Sequence, residues 1–256
     1  MKTTSHPDLL TPQPQPWKLL KFFLVCTIGG WILTGCNPIY YAPNSHNVPL
    51  LSGGGEAKIT AAGNADRVEF QGAYAISDHF GLQANGGLFI PREEENSNGG
   101  SGHFLEAGGG YLHRISPNWI FEGYGLIGTG KVENHFEDDS PGPTDPSIGD
   151  LSASIFRWGV QPNLGYRSPY FSAALSTRLS NLIFHNVEGD LVFNNIDQVS
   201  YLTDHNSYFL VEPALTIRGG FQKAKLQLQL GLSYNITDPE FDQETGFITV
   251  GFHFTL

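Results

Sequence analysis

The chain has 256 residues, and its 25 Asp and Glu against 14 Lys and Arg give a formal net charge of −11. An acidic balance of this size excludes a nucleic-acid partner, because such proteins carry a basic surface. Gly is abundant at 31 residues, charged residues make up only 15% of the chain, and aromatic residues make up 12%. No long stretch repeats apolar residues at the helical period, so the composition predicts an all-β protein.

The first 35 residues are typical of an export signal. Lys18 and Lys21 precede an apolar run of about 12 residues, which is too short for a bilayer crossing of about 20 residues. The run ends in Leu33-Thr34-Gly35-Cys36, which resembles the bacterial lipobox. The resemblance implies cleavage before Cys36 and a diacylglycerol anchor on that cysteine. We therefore expect an exported bacterial lipoprotein with residues 1–35 as its signal peptide.

Cleavage would leave 221 residues, a size that fits one domain or a single large barrel. Cys26 would leave with the signal peptide, so the mature chain would keep no free thiol for a disulfide, a nucleophile or a metal site. No cofactor is expected. Asn37 follows Cys36 where an Asp would resemble an inner-membrane retention signal, and this favours the outer membrane. No acidic cluster follows, so the lipid is expected on the periplasmic side.

Residues 36–54 are rich in Asn, Pro, Ser and Gly, and we interpret them as a lipidated linker. Residues 55–256 contain segments in which apolar and polar residues alternate. In one of them, Leu226, Leu228 and Leu230 share a face, and Gln227 and Gln229 share the other. A period of two over about ten residues is typical of a transmembrane β-barrel with lipid outside. The predicted strands are 56–63, 66–77, 79–90, 102–114, 118–133, 151–166, 169–182, 206–219, 223–235 and 246–256.

The connections between these strands differ in length on the two rims. Strands 2–3, 4–5, 6–7 and 8–9 are joined by short turns, whereas most of the other connections are long. Outer-membrane barrels place short turns in the periplasm and long loops outside. This arrangement predicts that the chain start and the lipid lie on the periplasmic side. The outer rim should be acidic, because the loops 91–101, 134–150, 183–205 and 236–245 hold 16 acidic residues.

The alternation predicts a set of inward-facing polar residues. Because buried charges must pair, we expect Arg157, Arg178 and Arg218 to pair with Glu106, Glu122 and Glu212. Such a network would fill the lumen of a ten-stranded barrel, and the alternative is a narrow polar pore or a small-ligand site. The predicted lumen residues are Glu69, Gln71, Gln83, Asn85, Glu106, Glu122, Arg157, Gln161, Asn163, Arg178, Glu212, Arg218, Gln227, Gln229 and His253.

Three short stretches look like parts of outer-membrane proteins. Residues 41–51, with the sequence YAPNSHNVPLL, resemble the start of an uncharacterised outer-membrane β-barrel lipoprotein group of the Bacteroidota type. Gly72-Ala73-Tyr74 and the closing Val250-Gly251-Phe252-His253-Phe254 resemble outer-membrane barrels in general. The resemblance implies an outer-membrane location and supplies no catalytic residues.

Candidate chemistry is sparse. Asp204-His205 lies near the acidic rim and could form a protease site together with Asp138-Asp139, but adjacent residues point to opposite faces of a strand. A solvated loop is the simpler interpretation. Closely spaced carboxylates attract hard cations, which makes one further group a weak metal candidate. It comprises Asp238, Glu240, Asp242 and Glu244.

Three functions remain open at this point. The first is a non-enzymatic structural or interaction protein, held by outer-membrane lipid and a covalent lipid anchor, with protein partners unknown. The second is an outer-membrane hydrolase that uses rim residues. The third is a lipid-anchored, lipocalin-like soluble barrel with an apolar ligand inside, which would put Glu122, Arg157 and Arg178 on the outer surface.

Overall fold

The computed structural model describes residues 38–90, 99–137 and 147–256. Cys36, the signal peptide and Asp138-Asp139 lie outside these ranges. Ten strands form one closed antiparallel barrel, in which each strand pairs with the next along the chain and the last pairs with the first. The predicted all-β class and the predicted barrel of about ten strands are confirmed.

The barrel strands begin within three residues of the predicted positions, and all except the seventh also end within three residues of them. They are β1 (Ala57–Gly63), β2 (Arg67–Ala75), β3 (Phe80–Phe89), β4 (Gly99–Arg114), β5 (Trp119–Phe136), β6 (Gly149–Arg167), β7 (Phe171–Gly189), β10 (Ser207–Gly220), β11 (Ala224–Leu232) with its continuation β12 (Tyr234–Asn235), and β13 (Gly246–Thr255). Between β7 and β10 lie a small hairpin, β8 (Val192–Phe193) and β9 (Ile196–Asp197), and a short helix, α1 (Gln198–Asp204).

The two faces of the barrel differ in polarity. On β11, Leu226, Leu228 and Leu230 are 54%, 38% and 40% exposed, whereas Gln227 and Gln229 are fully buried inside. Apolar side chains outside and polar side chains inside match a barrel whose outer surface faces hydrocarbon. Glu122, Arg157 and Arg178 are also buried in the lumen. The lipocalin-like interpretation required these three side chains outside, and it is wrong.

Strands β5, β6 and β7 have 18, 19 and 19 residues and are longer than predicted. Their outer faces become polar toward the long loops, as in the change on β5 from Ile127 to Lys131 and Glu133. Their inner faces become apolar over the same distance, and this extension encloses an apolar cluster that we call the cap. The cap comprises Tyr40, Tyr41, Phe104, Phe136, Leu151, Ala153, Ile155, Leu182, Phe184, Leu191, Phe193, Leu202, Tyr208, Leu210 and Phe241.

The amino-terminal residues run through the barrel, and we call residues 38–56 the lumenal segment. Its first part lies at the long-loop rim, where the Ile39 amide donates to Asn134 Oδ1 near the end of β5 at 3.1 Å. Its later part lies near the other end of the same strand, where the Leu51 amide donates to Glu122 Oε1 at 2.7 Å. The segment predicted to be a linker thus crosses the lumen from the long-loop rim to the short-turn rim.

This path corrects one expectation about the chain start. Strand β1 begins at the short-turn rim as predicted, but the described chain begins at the opposite rim. The inference was wrong because it assumed that the residues before β1 stay on the side where β1 begins. Within the described residues, no helix has the length and hydropathy needed to span a bilayer.

Candidate functional site

Two buried ion pairs lie in the middle of the lumen. Arg157 Nη2 is 2.6 Å from Glu106 Oε2, and Arg178 Nε is 2.7 Å from Glu212 Oε2. Arg178 Nη1 also lies 3.9 Å from Glu106 Oε1, which links the two pairs. The four side chains are at most 1% exposed. Pairing of this kind offsets the cost of removing each charge from water.

Glu122 and Arg218 do not form the ion pairs that the sequence predicted. Glu122 accepts the consecutive backbone amides of Leu50 and Leu51 at 3.1 and 2.7 Å. Leu50 has a φ of 51°, in the left-handed region, and backbone of this type can turn successive amides toward one anion. Arg218 Nε instead donates to Gln227 Oε1 at 2.8 Å. The carboxylate therefore anchors backbone, which the pattern of charged residues could not indicate.

Other lumen side chains bind the remaining amides of the lumenal segment. The Ser45 amide donates to both oxygens of Glu69, at 3.1 and 3.0 Å. Gln229 holds both backbone groups of His46, because its Oε1 accepts the amide at 2.7 Å and its Nε2 donates to the carbonyl at 3.0 Å. A glutamine used in this way supplies the same donor and acceptor as a neighbouring strand.

The carbonyls of the lumenal segment have similar partners. Arg178 Nη2 donates to the Asn44 carbonyl at 3.0 Å, and Gln161 Nε2 donates to the Asn47 carbonyl at 2.8 Å. Lys58 Nζ donates to the carbonyls of Pro49 and Leu50 at 2.6 and 2.7 Å. Buried backbone groups need partners. The lumen side chains supply them in place of a β ladder.

The side chains of the lumenal segment join the same network. Tyr41 Oη donates to Glu212 Oε1 at 2.9 Å and accepts a hydrogen bond from Arg157. Asn44 Oδ1 accepts from Arg157 Nη2 at 2.7 Å, and His46 Nδ1 lies 2.7 Å from Ser176 Oγ. The ion pairs, the lumen glutamines and the segment form one connected system.

Apolar residues close the lumen above and below this system. The cap lies at the long-loop end. At the short-turn end, Leu51 packs with Leu112 and Tyr124, and Leu50 packs with Ile120. The lumen is therefore filled along its length by the segment, the polar network and apolar side chains. All fifteen residues predicted to face inward are buried there.

The loop between β7 and β10 covers the cap. Leu202 of α1 is fully buried in the cap. Asp197 precedes the helix and accepts the amides of Val199 and Ser200 at 3.0 and 3.2 Å. Hydrogen bonds from the Ser200 side chain and amide lower the pKa of Asp197 below its ordinary value of 3.8. The capping carboxylate and the buried Leu202 therefore both contribute to holding the helix over the lumen.

The candidate metal residues have separate contacts. Asp238 accepts the Tyr201 hydroxyl at 3.0 Å, and burial together with this bond raises the pKa of Tyr201. Glu244 pairs with Arg67, and the Asp242 carbonyl accepts the Tyr40 amide at 3.1 Å. Glu240 donates its own amide to Asp238. Over residues 38–90, 99–137 and 147–256, no three His, Cys, Asp or Glu side chains are grouped to hold a metal ion.

The candidate hydrolase residues lie at the carboxyl end of α1. Asp204 and His205 are exposed, and His205 Nδ1 lies 3.3 Å from the Tyr201 carbonyl. Their proposed partners, Asp138 and Asp139, lie outside the described residues. The described geometry does not bring Asp204 and His205 together with a further catalytic group.

No sequence signal marked residues 38–56 as lumen-filling. The segment has no period of two, and Pro43 and Pro49 interrupt it. Two observations could have indicated burial: six large apolar or aromatic residues lie within a stretch otherwise typical of a linker, and the predicted lumen held more hydrogen-bonding groups than its three ion pairs would use. The six residues are Ile39, Tyr40, Tyr41, Val48, Leu50 and Leu51.

Comparisons with known proteins add little to this description. No protein-family model matches the chain, and no curated protein matches it. Solved structures with a similar fold include LpxR from Salmonella typhimurium, with a TM-score of 0.35 and 9% sequence identity over 78% of this chain and 99% of that chain. Similarity at this level supports no conclusion about function.

Proposed function

We propose that this protein is a lipid-anchored outer-membrane β-barrel with a structural or interaction role and no catalytic activity. The observation that carries the proposal is the filled lumen. Residues 38–56 occupy it, and their backbone is bound to side chains from several strands, including β2, β5, β7 and β11. A barrel of this kind offers no path for a solute, so its accessible surfaces are its rims and its lipid-facing wall.

The long-loop rim supports an interaction role. Acidic side chains concentrate there, and the described ones include Glu188, Asp190, Asp204 and Glu240, all exposed. Exposed acids of one sign repel anionic surfaces and attract cationic ones. We infer that this rim faces outward and presents an acidic surface to cationic partners. The lipobox-like sequence before Asn37 and the Bacteroidota-type resemblance support the lipid anchor and the outer-membrane location.

The first test is electrophoresis of membrane fractions, with and without boiling. A closed barrel should migrate faster unboiled and shift on boiling. The purified protein should then be placed in planar bilayers beside an open porin as the control. We expect no unitary conductance from this protein. Regular conductance steps would show an open lumen and would overturn the proposal of a filled barrel.

The second test concerns the acidic rim. Intact cells that express the protein should bind a fluorescent cationic peptide, and a variant with Glu188→Gln, Asp190→Asn, Asp204→Asn and Glu240→Gln should bind less. A matched control would neutralise Asp78 in a short turn and leave binding unchanged. Equal binding by both variants would contradict an outward acidic interaction surface.

A further inference from the structure

The described chain begins among the long loops. Tyr40 donates its amide to the Asp242 carbonyl at 3.1 Å and its hydroxyl to Gln198 Oε1 at 2.8 Å. Ile39 exchanges two hydrogen bonds with the Asn134 side chain, each of 3.1 Å. Asp242 and Gln198 belong to two different long connections, and Asn134 lies near the end of β5 on the same rim. The start of the lumenal segment is therefore fixed to this rim from three directions.

The length of chain between Ile39 and Cys36 limits how far the lipid attachment site can lie from this rim. Cys36 precedes Ile39 by three residues, and three residues span at most about 10 Å. The apolar band of an outer-membrane barrel is about 25 Å tall, so three residues are too few to reach the short-turn rim from Ile39, either through or around the barrel. We propose that the lipid on Cys36 emerges on the same side as the long loops, opposite the short turns. This proposal rests on the lipidation of Cys36 in the proposed function.

With the long loops outside, the lipid would enter the outer leaflet at the cell surface. This is the reverse of the periplasmic position expected from the sequence. The lumenal segment then serves as a connection between a surface anchor and β1 on the periplasmic side. The same chain would then be attached to the membrane twice, by the outer wall of the barrel and by the acyl chains on Cys36.

The filled lumen also constrains assembly. Tyr40 and Tyr41 are 0% and 3% exposed, and the cap surrounds them. A cysteine that carries acyl chains could not slide through this packing after the barrel had closed. The strands must therefore close around the segment, with the pairing of β1 and β13 completing the barrel. The lumenal segment must therefore be in place before the barrel closes.

The test uses three single-cysteine variants and a membrane-impermeant maleimide. Ile39→Cys reports on the start of the lumenal segment, where Ile39 is 39% exposed. Asp204→Cys reports on a long loop and His79→Cys on a short turn, and both positions are exposed. Lipidation blocks Cys36, so each variant has one reactive thiol. Each is labelled in intact cells and again after permeabilisation, and its heat-dependent gel shift checks that it folds.

We expect Ile39→Cys to react under the same conditions as Asp204→Cys and to differ from His79→Cys. If Ile39→Cys is instead labelled under the same conditions as His79→Cys, the proposal is overturned. An epitope inserted between Asn37 and Pro38, detected by antibody on intact cells, provides a second measurement if Ile39→Cys does not fold. The antibody must reach this epitope under the conditions that label Asp204→Cys and not under those that label His79→Cys.

The same experiment separates this proposal from the proposed function. If His79→Cys reacts in intact cells and Asp204→Cys does not, the proposed orientation of the barrel is wrong. Reaction of Ile39→Cys together with Asp204→Cys would still support the path through the lumen. Incorporation of an alkyne fatty acid, and its loss in Cys36→Ser, tests the lipid itself. Absence of incorporation would overturn the surface anchor, and the labelling would then be repeated in a Cys26→Ser, Cys36→Ser background to test the lumenal path by itself.

Discussion

The barrel strands and the lumenal segment satisfy their buried backbone in different ways. In the wall, strands exchange regular hydrogen bonds, as in the register of β5 and β6 from Trp119↔Tyr166 to Phe136↔Gly149. In the lumen, the segment has one isolated bridge, from Tyr41 to Gln243, and its residues 44–51 are held by side chains such as Glu69, Glu122 and Gln229. A ladder tolerates substitution because backbone supplies its bonds. The segment should respond strongly to the loss of a single side chain.

The largest effect is expected from Arg178→Met. It leaves Glu212 as a buried charge without its arginine, and breaking a buried pair in this way costs about 3–5 kcal/mol. The free energy of unfolding would be measured by urea titration in detergent micelles. Replacing both residues, Arg178→Met with Glu212→Leu, should recover much of the loss. A double variant as unstable as the single one would contradict the pairing.

The wall has its own sensitive position on the lipid face. Leu228 lies in the middle of β11 and points outward, so Leu228→Arg should cost about 2–4 kcal/mol, the range for a charge near the bilayer midplane. Leu232→Arg on the same face, near the rim, is the matched control and should cost about 0–1 kcal/mol. Stability would be measured by urea titration in lipid vesicles. Equal costs at both depths would argue against this face spanning the membrane.

Glu122→Ala tests the dependence of the lumenal segment on side chains. It leaves the amides of Leu50 and Leu51 without their acceptor, and this should lower the free energy of unfolding by about 2–3 kcal/mol. Glu122→Gln retains one carbonyl oxygen and should recover part of this loss. Protease cleavage within residues 38–56 of the embedded protein would provide the local measurement. A change in global stability without new cleavage would mean that the segment does not depend on Glu122.

The smallest effect is expected at α1, which lies in the loop between β7 and β10 and belongs neither to the wall nor to the lumenal segment. The folded pKa of Asp197 lies below its ordinary value of 3.8. The capping contribution is therefore fully present above that ordinary value and is lost as the pH falls through the lower, folded value. Pepsin should cleave residues 190–206 faster as the pH decreases through this range. Asp197→Asn keeps a capping side chain that does not titrate, and its cleavage should lack the pH dependence attributable to the cap.

The sequence was sufficient to predict the barrel wall. The period of two assigns each residue of β11 or β13 to one face without knowledge of the neighbouring strands, because adjacent side chains of a strand point in opposite directions. The alternation of short turns and long loops then orders the strands. The extra length of β5, β6 and β7 was missed because their inner faces change from polar to apolar at the cap, which breaks the alternation.

The path of residues 38–56 was decided only by the tertiary structure. Pro43 and Pro49 exclude a regular strand there, so the local sequence describes a linker. Glu69, Glu122 and Gln229 lie on three strands that are distant in sequence, and closure of the barrel brings them around one stretch of backbone. Local periodicity determines which residues face inward. What those residues bind depends on groups that meet only when the barrel closes.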